Sequence, residues 1–242
     1  MFSVALVGPD GAGKTAIGRR LERTFPLRVK YVYMGNNLDS SNLMLPTTRL
    51  LAWIKLVRGG KPDVAGPPDP KQSKRPPESV VRRSAARLKA SLYLANWIAE
   101  EWFRQQLAWY YQRRGNIVLF DRHFFADYYA HDIAASDRAR PLSSRVHGFM
   151  LERIYPKPDL MILLDAPAEV LLARKAEGTL EALARRREEY PPMRGLVRHF
   201  AIVDASQPED DVARAVADVI WDFYNARTAN TSRVHGGHGE SE

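Results

Sequence analysis

The sequence predicts an α/β fold in which a parallel β-sheet is covered by helices on both faces. Three observations carry that expectation. Short apolar runs alternate with longer segments of helical periodicity, an order that calls for crossover connections and hence parallel strands. Two of the apolar runs end in an acid, at Asp121 and at Asp165. The first run feeds straight into Gly8-Pro9-Asp10-Gly11-Ala12-Gly13-Lys14-Thr15, which satisfies G-x-x-x-x-G-K-[ST], the phosphate-binding loop pattern.

Each fixed position of that loop has a physical task. Gly8, Gly11 and Gly13 lack a Cβ, so the backbone can take positive φ and turn its N–H groups towards an anion. The amides from Gly8 through Ala12 to Ala16 form the cradle, and the following helix adds its unpaired N-terminal donors. Lys14 supplies a compact charge for the β- and γ-phosphates of a nucleotide such as ATP, and the Thr15 hydroxyl is a candidate Mg²⁺ ligand. The context fits, because an aliphatic strand precedes the loop and Ile17, Leu21 and Phe25 follow at helical spacing.

The remaining elements follow in order. Residues 28–33 alternate bulky apolar and basic side chains and read as a second strand, broken by Met34-Gly35-Asn36-Asn37. Residues 38–56 hold a short helix or a packed loop. Residues 59–79 are dense in proline and glycine, which excludes helix and ladder alike, and are expected to form a mobile surface loop. A long helix is expected over 80–114, with Gly115 as its stop and apolar residues from Leu88 to Tyr110 at three- and four-residue steps. Its basic beginning, Arg82, Arg83, Arg87 and Lys89, supplies cations either for a phosphate acceptor or for a solvated face.

Residues 116–120 form a third strand, nearly all apolar and hence buried on both faces. Residues 160–164 form a fourth, and Pro167 opens a helix through about Lys175. A charge-rich run containing Arg185, Arg186 and Arg187 comes next. Residues 199–203 form a short fifth strand, and 208–225 a closing amphipathic helix. Beyond Arg227 the residues are polar and glycine-rich and read as a frayed tail over 228–242, in which His235 and His238 are weak candidates for metal ligands.

Composition sets outer bounds. A chain of 242 residues, 45% of them hydrophobic, permits one good-sized core, so a single domain over 1–227 is expected. No apolar run reaches the roughly 18 residues of a membrane span, and the first residues lack a charged leader and cleavage site, so a cytoplasmic protein is expected. The absence of cysteine excludes disulfides, Cys-type zinc sites and a thiol nucleophile. An excess of 36 Lys+Arg over 28 Asp+Glu favours anionic ligands, but the clusters that produce it suit a nucleotide and do not by themselves point to nucleic acid. A homodimer is compatible with all of this.

The rule that ligands gather at the carboxyl ends of parallel strands puts the loop, Asp121-Arg122 and Asp165 on one rim. Asp121 is the candidate Mg²⁺ ligand beside Thr15. Asp165 competes for that role, although its position before Ala-Pro-Ala-Glu also suits helix capping. The planar fork of Arg122 suits an acceptor phosphate.

Together GPDGAGKT, the DRH at Asp121-Arg122-His123 and ILLDAPAEVLLARK at 162–175 resemble the thymidylate kinases, a branch of the P-loop nucleoside monophosphate kinases. The resemblance implies a three-layer fold with a five-stranded sheet in the order 2-3-1-4-5, ATP and Mg²⁺ as cofactors, and a lid over about 176–192. It places Arg185, Arg186 and Arg187 in that lid as candidates for the charge-neutralising arginine, alongside Lys14 and Arg122. It implies acceptor contacts from Asp10 and Arg122, with Arg87 and Tyr190 as further candidates. Gly11 stands where some members carry an arginine, which matches the variety that supplies it from the lid. Where thymidylate kinases carry Arg-Glu-Pro-Gly after the second strand, this chain has Tyr33-Met34-Gly35-Asn36-Asn37. Acceptors other than dTMP, including a nucleoside, for which Asp39, Asp121 or Asp10 would have to serve as base, or another small metabolite, therefore stay open, as does a nucleotide-binding switch or nucleic-acid-binding protein that transfers nothing.

Overall fold

The computed structural model of the chain describes residues 1–35, 43–57, 80–128, 142–175 and 179–236. Five strands, β1 (Ser3–Val7), β2 (Val29–Tyr33), β3 (Ile117–Asp121), β4 (Leu160–Asp165) and β5 (Phe200–Asp204), form one all-parallel sheet in the order 2-3-1-4-5. The described helices are α1 (Lys14–Thr24), α2 (Pro46–Val57), α3 (Val80–Arg113), α4 (Phe124–Tyr128), α5 (Leu142–Arg153), α6 (Ala168–Arg174), α7 (Leu180–Glu188) and α8 (Glu209–Gly236). This is the α/β fold of P-loop kinases.

The three central strands, β3, β1 and β4, are buried almost throughout and lack polar alternation because both faces of the sheet are covered there. On one face Val4, Leu6, Leu119, Ile162 and Leu164 pack with Ile17 and Leu21 of α1 and Val212, Val216 and Ile220 of α8. On the other, Ala5, Val7, Val118, Phe120, Met161 and Leu163 pack with Ala108 of α3 and Leu151 of α5. Each large aliphatic side chain buried in these layers contributes roughly 1.5–3 kcal/mol. The register pairs Leu6 with Asp121 on one side and with Ile162 on the other. The ends of β3 and β4 are thereby brought level with the loop that leaves β1.

Several boundaries differ from expectation. The last helix runs to Gly236 and not to 225, because no proline or glycine interrupts the chain between Pro208 and Gly236. Residues 228–236 of the expected tail are therefore helical, residues 237–242 lie outside the described residues, and so do the side chains of His235 and His238. Two helices, α4 and α5, occupy a stretch in which no element was foreseen. The exposure of Val146 and Phe149 explains why α5 lacks a clean apolar stripe. Of the expected lid, residues 179–188 form α7 with its Thr179 cap and 191–195 a 3₁₀ turn, while 176–178 lie outside the described residues. The proline-rich stretch 59–79 also lies outside them. Among the described residues no helix is long and apolar enough to cross a membrane.

Candidate functional site

The loop after β1 is pressed against its neighbours so closely that glycine is required. Gly8 has φ +142°, and a Cβ there would lie 2.4 Å from the Leu164 carbonyl oxygen. At Gly11, with φ +87°, a Cβ would lie 2.6 Å from the carbonyl oxygen of Leu171. Neither obstacle can give way, since both are backbone atoms of β4 and α6. Gly13, also left-handed, begins α1, and no acidic residue stands in that helix's first turn. The positive end of α1 is thus left facing the loop without an internal counter-charge.

Lys14 is only 6% exposed, and its Nζ donates to the carbonyls of Gly8 and Pro9, each at 2.7 Å. The ammonium group is held across the loop it is expected to serve. The Gly8 carbonyl also accepts a hydrogen bond from the Tyr190 hydroxyl at 3.0 Å. Tyr190 is buried, so this side chain braces the phosphate loop from below, where an acceptor contact was expected.

Asp121 lies at the end of β3 and is fully buried. Its Oδ2 accepts from the Thr15 hydroxyl at 2.5 Å and from the Tyr31 hydroxyl at 2.6 Å. Its Oδ1 is buried with no hydrogen-bond partner. A buried carboxylate oxygen left without a partner is costly, and beside a threonine hydroxyl at a phosphate loop it suits a hard cation. Burial and the charge of Asp121 push the Tyr31 phenol far above its ordinary value, so Tyr31 stays a donor. No group of three or more His, Cys, Asp or Glu that could hold a metal occurs among the described residues.

Asp165, the competitor for this role, is engaged otherwise. Arg187 of α7 grips it with two parallel hydrogen bonds at 2.7 and 2.8 Å. Of the other lid arginines, Arg186 pairs with Glu189 at 2.7 Å and lies 5.7 Å from the Tyr190 ring centre, and Arg185 is exposed.

Arg122 follows Asp121 with φ +69°, the single positive φ outside glycine among the described residues. Its amide donates to the Leu6 carbonyl at 3.1 Å, tying this strained residue to the end of β1. Its guanidinium pairs with Asp10. Burial pushes the Asp10 carboxyl up, but Arg122, Lys14 and Lys175 together outweigh it and hold the group below its ordinary value. Asp10 and Arg122 are thus joined in one ion pair at the loop. Next in line, His123 is buried, its Nδ1 accepts the Phe125 amide at 3.3 Å, and burial pushes it down to about 4. It stays neutral and starts α4. Arg87 lies on α3, with its side chain outside the described residues.

Sequence reasoning missed a buried polar seam beneath the site. Arg104 of α3 is fully buried and donates to Glu100 Oε1 at 3.0 Å and to the Gly35 carbonyl at 2.8 Å. Glu100 Oε2 in turn accepts the Leu45 amide at 3.0 Å and the Thr48 hydroxyl at 2.7 Å. The pair therefore fastens the end of β2 to the start of α2. Glu101 lies within 3.1–3.2 Å of His147 Nε2 on α5. The available signal was the spacing of Glu100, Glu101, Arg104 and Gln105, which puts four polar side chains on one helix face.

No protein-family model matches the chain. It is similar to a probable thymidylate kinase of Archaeoglobus fulgidus, 33% identical over 122 residues that cover 47% of this chain and 57% of the relative. It is also similar to probable thymidylate kinase 1 of Saccharolobus solfataricus, 34% identical over 77 residues covering 29% of this chain and 40% of the relative. The chain spans about half the length of the curated relatives it matches. Over the matched stretches the chain is similar in sequence to probable thymidylate kinases, and its parallel sheet has the 2-3-1-4-5 order that this resemblance implies.

Proposed function

We propose that the chain is a Mg²⁺-dependent phosphotransferase that moves the γ-phosphoryl group of ATP to a nucleoside monophosphate, dTMP or a nucleotide similar to it. The observation that carries the reading is the buried, unpartnered Oδ1 of Asp121 beside Thr15 at the mouth of a glycine-bent loop. The names of the two relatives support a thymidine-type acceptor.

In this reading the loop amides and the α1 N-terminus bind the β- and γ-phosphates. Lys14 exchanges its two carbonyl partners for phosphate oxygens. Thr15 and Asp121 hold Mg²⁺, which supplies charge neutralisation on the transferring phosphoryl group when bound. Arg122 presents its fork to the acceptor phosphate, with Asp10 orienting it, and a lid arginine covers the migrating group. An acceptor phosphate is already an anion, so positioning and charge neutralisation suffice without a general base. Closure of the 176–192 segment would exclude water and suppress hydrolysis of ATP.

A kinase of an unphosphorylated hydroxyl needs a carboxylate base. Asp10 is a poor one, since its partners hold it well ionised, and Asp121 is occupied by two hydroxyl donors; Asp39, the third candidate, lies outside the described residues. ADP release should be measured with a panel of nucleoside monophosphates and nucleosides. Turnover with at least one monophosphate is expected; silence with every acceptor, or turnover with nucleosides alone, would overturn the proposal.

A further inference from the structure

We propose that Tyr31, a strand residue outside the phosphate loop, is the positioning residue of the metal site: it holds Asp121 Oδ2 so that Oδ1 is the oxygen offered to the cation. This inference rests on the phosphotransferase reading and adds a residue to it.

The geometry follows from the pleat. Tyr31 is paired in register with Leu119, and Asp121, two residues further along β3, points to the same face of the sheet. A tyrosine is long enough to reach diagonally across a strand pair, and its hydroxyl meets Asp121 Oδ2 at 2.6 Å. With Thr15 donating to the same oxygen at 2.5 Å, both hydroxyl donors converge on Oδ2 and leave Oδ1 bare. A carboxylate held on one oxygen cannot rotate to exchange the two. A metal-ligating carboxylate is commonly oriented by such an outer partner.

A second observation shows how the ring is seated. Gly18 lies in the middle of α1, where glycine costs about 0.5–1 kcal/mol relative to alanine. A Cβ at that position would lie 2.8 Å from Tyr31 Cδ2 and Cε2. The helix thus carries a destabilising residue where the Tyr31 ring needs the space. The Arg19 guanidinium, 5.9 Å from the ring centre, flanks it on the same helix. Phenylalanine has the same ring but lacks the hydroxyl that reaches Asp121, so the bond to Oδ2 is what separates the two residues at this buried position.

The test uses the full chain and its Tyr31→Phe variant. ATP affinity is measured by calorimetry in the presence of a chelator and then with Mg²⁺ titrated in, and Mn²⁺ occupancy with ATP present is followed by electron paramagnetic resonance. Losing an outer-shell hydrogen bond should raise the Mg²⁺ and Mn²⁺ concentrations for half-saturation by about tenfold, while chelator-state ATP affinity stays within about twofold. Gly18→Ala, which displaces the ring and improves the helix, should shift metal affinity in the same direction. Unchanged metal dependence in Tyr31→Phe, or an equal loss of metal-free ATP affinity, would overturn the positioning role. A parent protein that binds no ATP with either cation would instead bring down the phosphotransferase reading on which it rests.

Discussion

Arg187 on α7 and Asp165 at the end of β4 are joined through both guanidinium arms, Nε to Oδ1 at 2.7 Å and Nη2 to Oδ2 at 2.8 Å. The pair ties the segment expected to serve as a lid to the rim of the sheet. It also separates the two acids that end apolar strands: Asp165 is committed to an arginine, and Asp121 keeps a bare oxygen beside the phosphate loop. Among three consecutive arginines, Arg187 is the one held at the rim.

Arg187→Ala is accordingly expected to cut phosphoryl transfer by about 10³-fold, the scale of a charge-neutralising arginine. The ion pair is about one-third exposed, so its loss should lower stability by less than about 1 kcal/mol. Arg185→Ala, at an exposed position, should turn over at close to the parental rate. Steady-state kinetics on the single variants would check the assignment, and a large loss at Arg185 with none at Arg187 would reverse it.

Lys14→Ala is expected to reduce transfer by about 10²–10³-fold, because the ammonium group acts on charge that develops on the migrating group. The two carbonyl bonds that Lys14 makes across the loop are lost as well, but the Gly8 carbonyl keeps the Tyr190 hydroxyl and the hydrophobic core on either face of the sheet is untouched. Thermal melts should remain cooperative. Normal turnover by this variant would remove Lys14 from the mechanism.

Arg122 combines a positive φ with an ion pair to Asp10. Replacing it with glycine relieves a backbone conformation that costs a side chain of order 1 kcal/mol, so stability should hold or rise. The guanidinium goes at the same time, and the KM for the acceptor monophosphate should climb about 10- to 100-fold, with the KM for ATP much less affected. Rising stability with falling acceptor affinity is the signature of strain retained for binding. Urea denaturation and paired KM measurements would reveal it, and equal losses for both substrates would argue against it.

Asp159 provides a test of pH dependence remote from the site. Burial pushes its carboxyl up, but hydrogen bonds from the Ser3 amide and hydroxyl and from Arg227 more than offset this, and the group titrates below its ordinary value. A carboxylate depressed in the folded state contributes stability above its unfolded value, and that contribution disappears as pH falls through the folded value. Stability should therefore decline from about pH 4 downward. Asp159→Asn should be less stable at neutral pH and show a flatter acid limb in denaturant titrations; an unchanged limb would mean that other carboxylates dominate it.

Much of the fold could be read in advance because its signals are local. Parallel strands buried on both faces are continuous apolar runs, and Ile117–Asp121 and Leu160–Asp165 stand out as such in the chain. The glycines of the loop are needed at their own φ angles, so their spacing announces the turn. By contrast α5 exposes Val146 and Phe149, and no stripe betrays it. The long extension of α8 was hidden by polar composition, although helix formation there needs only the absence of breakers.

The candidate site divides along the same line. Gly8, Lys14 and Thr15 belong to one short segment whose backbone brings them together, and the acids at the ends of β3 and β4 were placed by the rule that parallel strands present their carboxyl ends on one rim. Tyr31, Gly18 and Asp121 are far apart in sequence, and Tyr190 is still further from Gly8. Their hydrogen bonds exist because β2 lies beside β3, α1 crosses the β2 face, and the end of α7 returns beneath the loop. Chain chemistry alone marked out the segment suited to a phosphate; which carboxylate keeps a bare oxygen, which arginine is held at the rim, and which tyrosines brace them were decided by packing, because only the folded sheet sets the distances over which hydroxyls and carboxylates can meet.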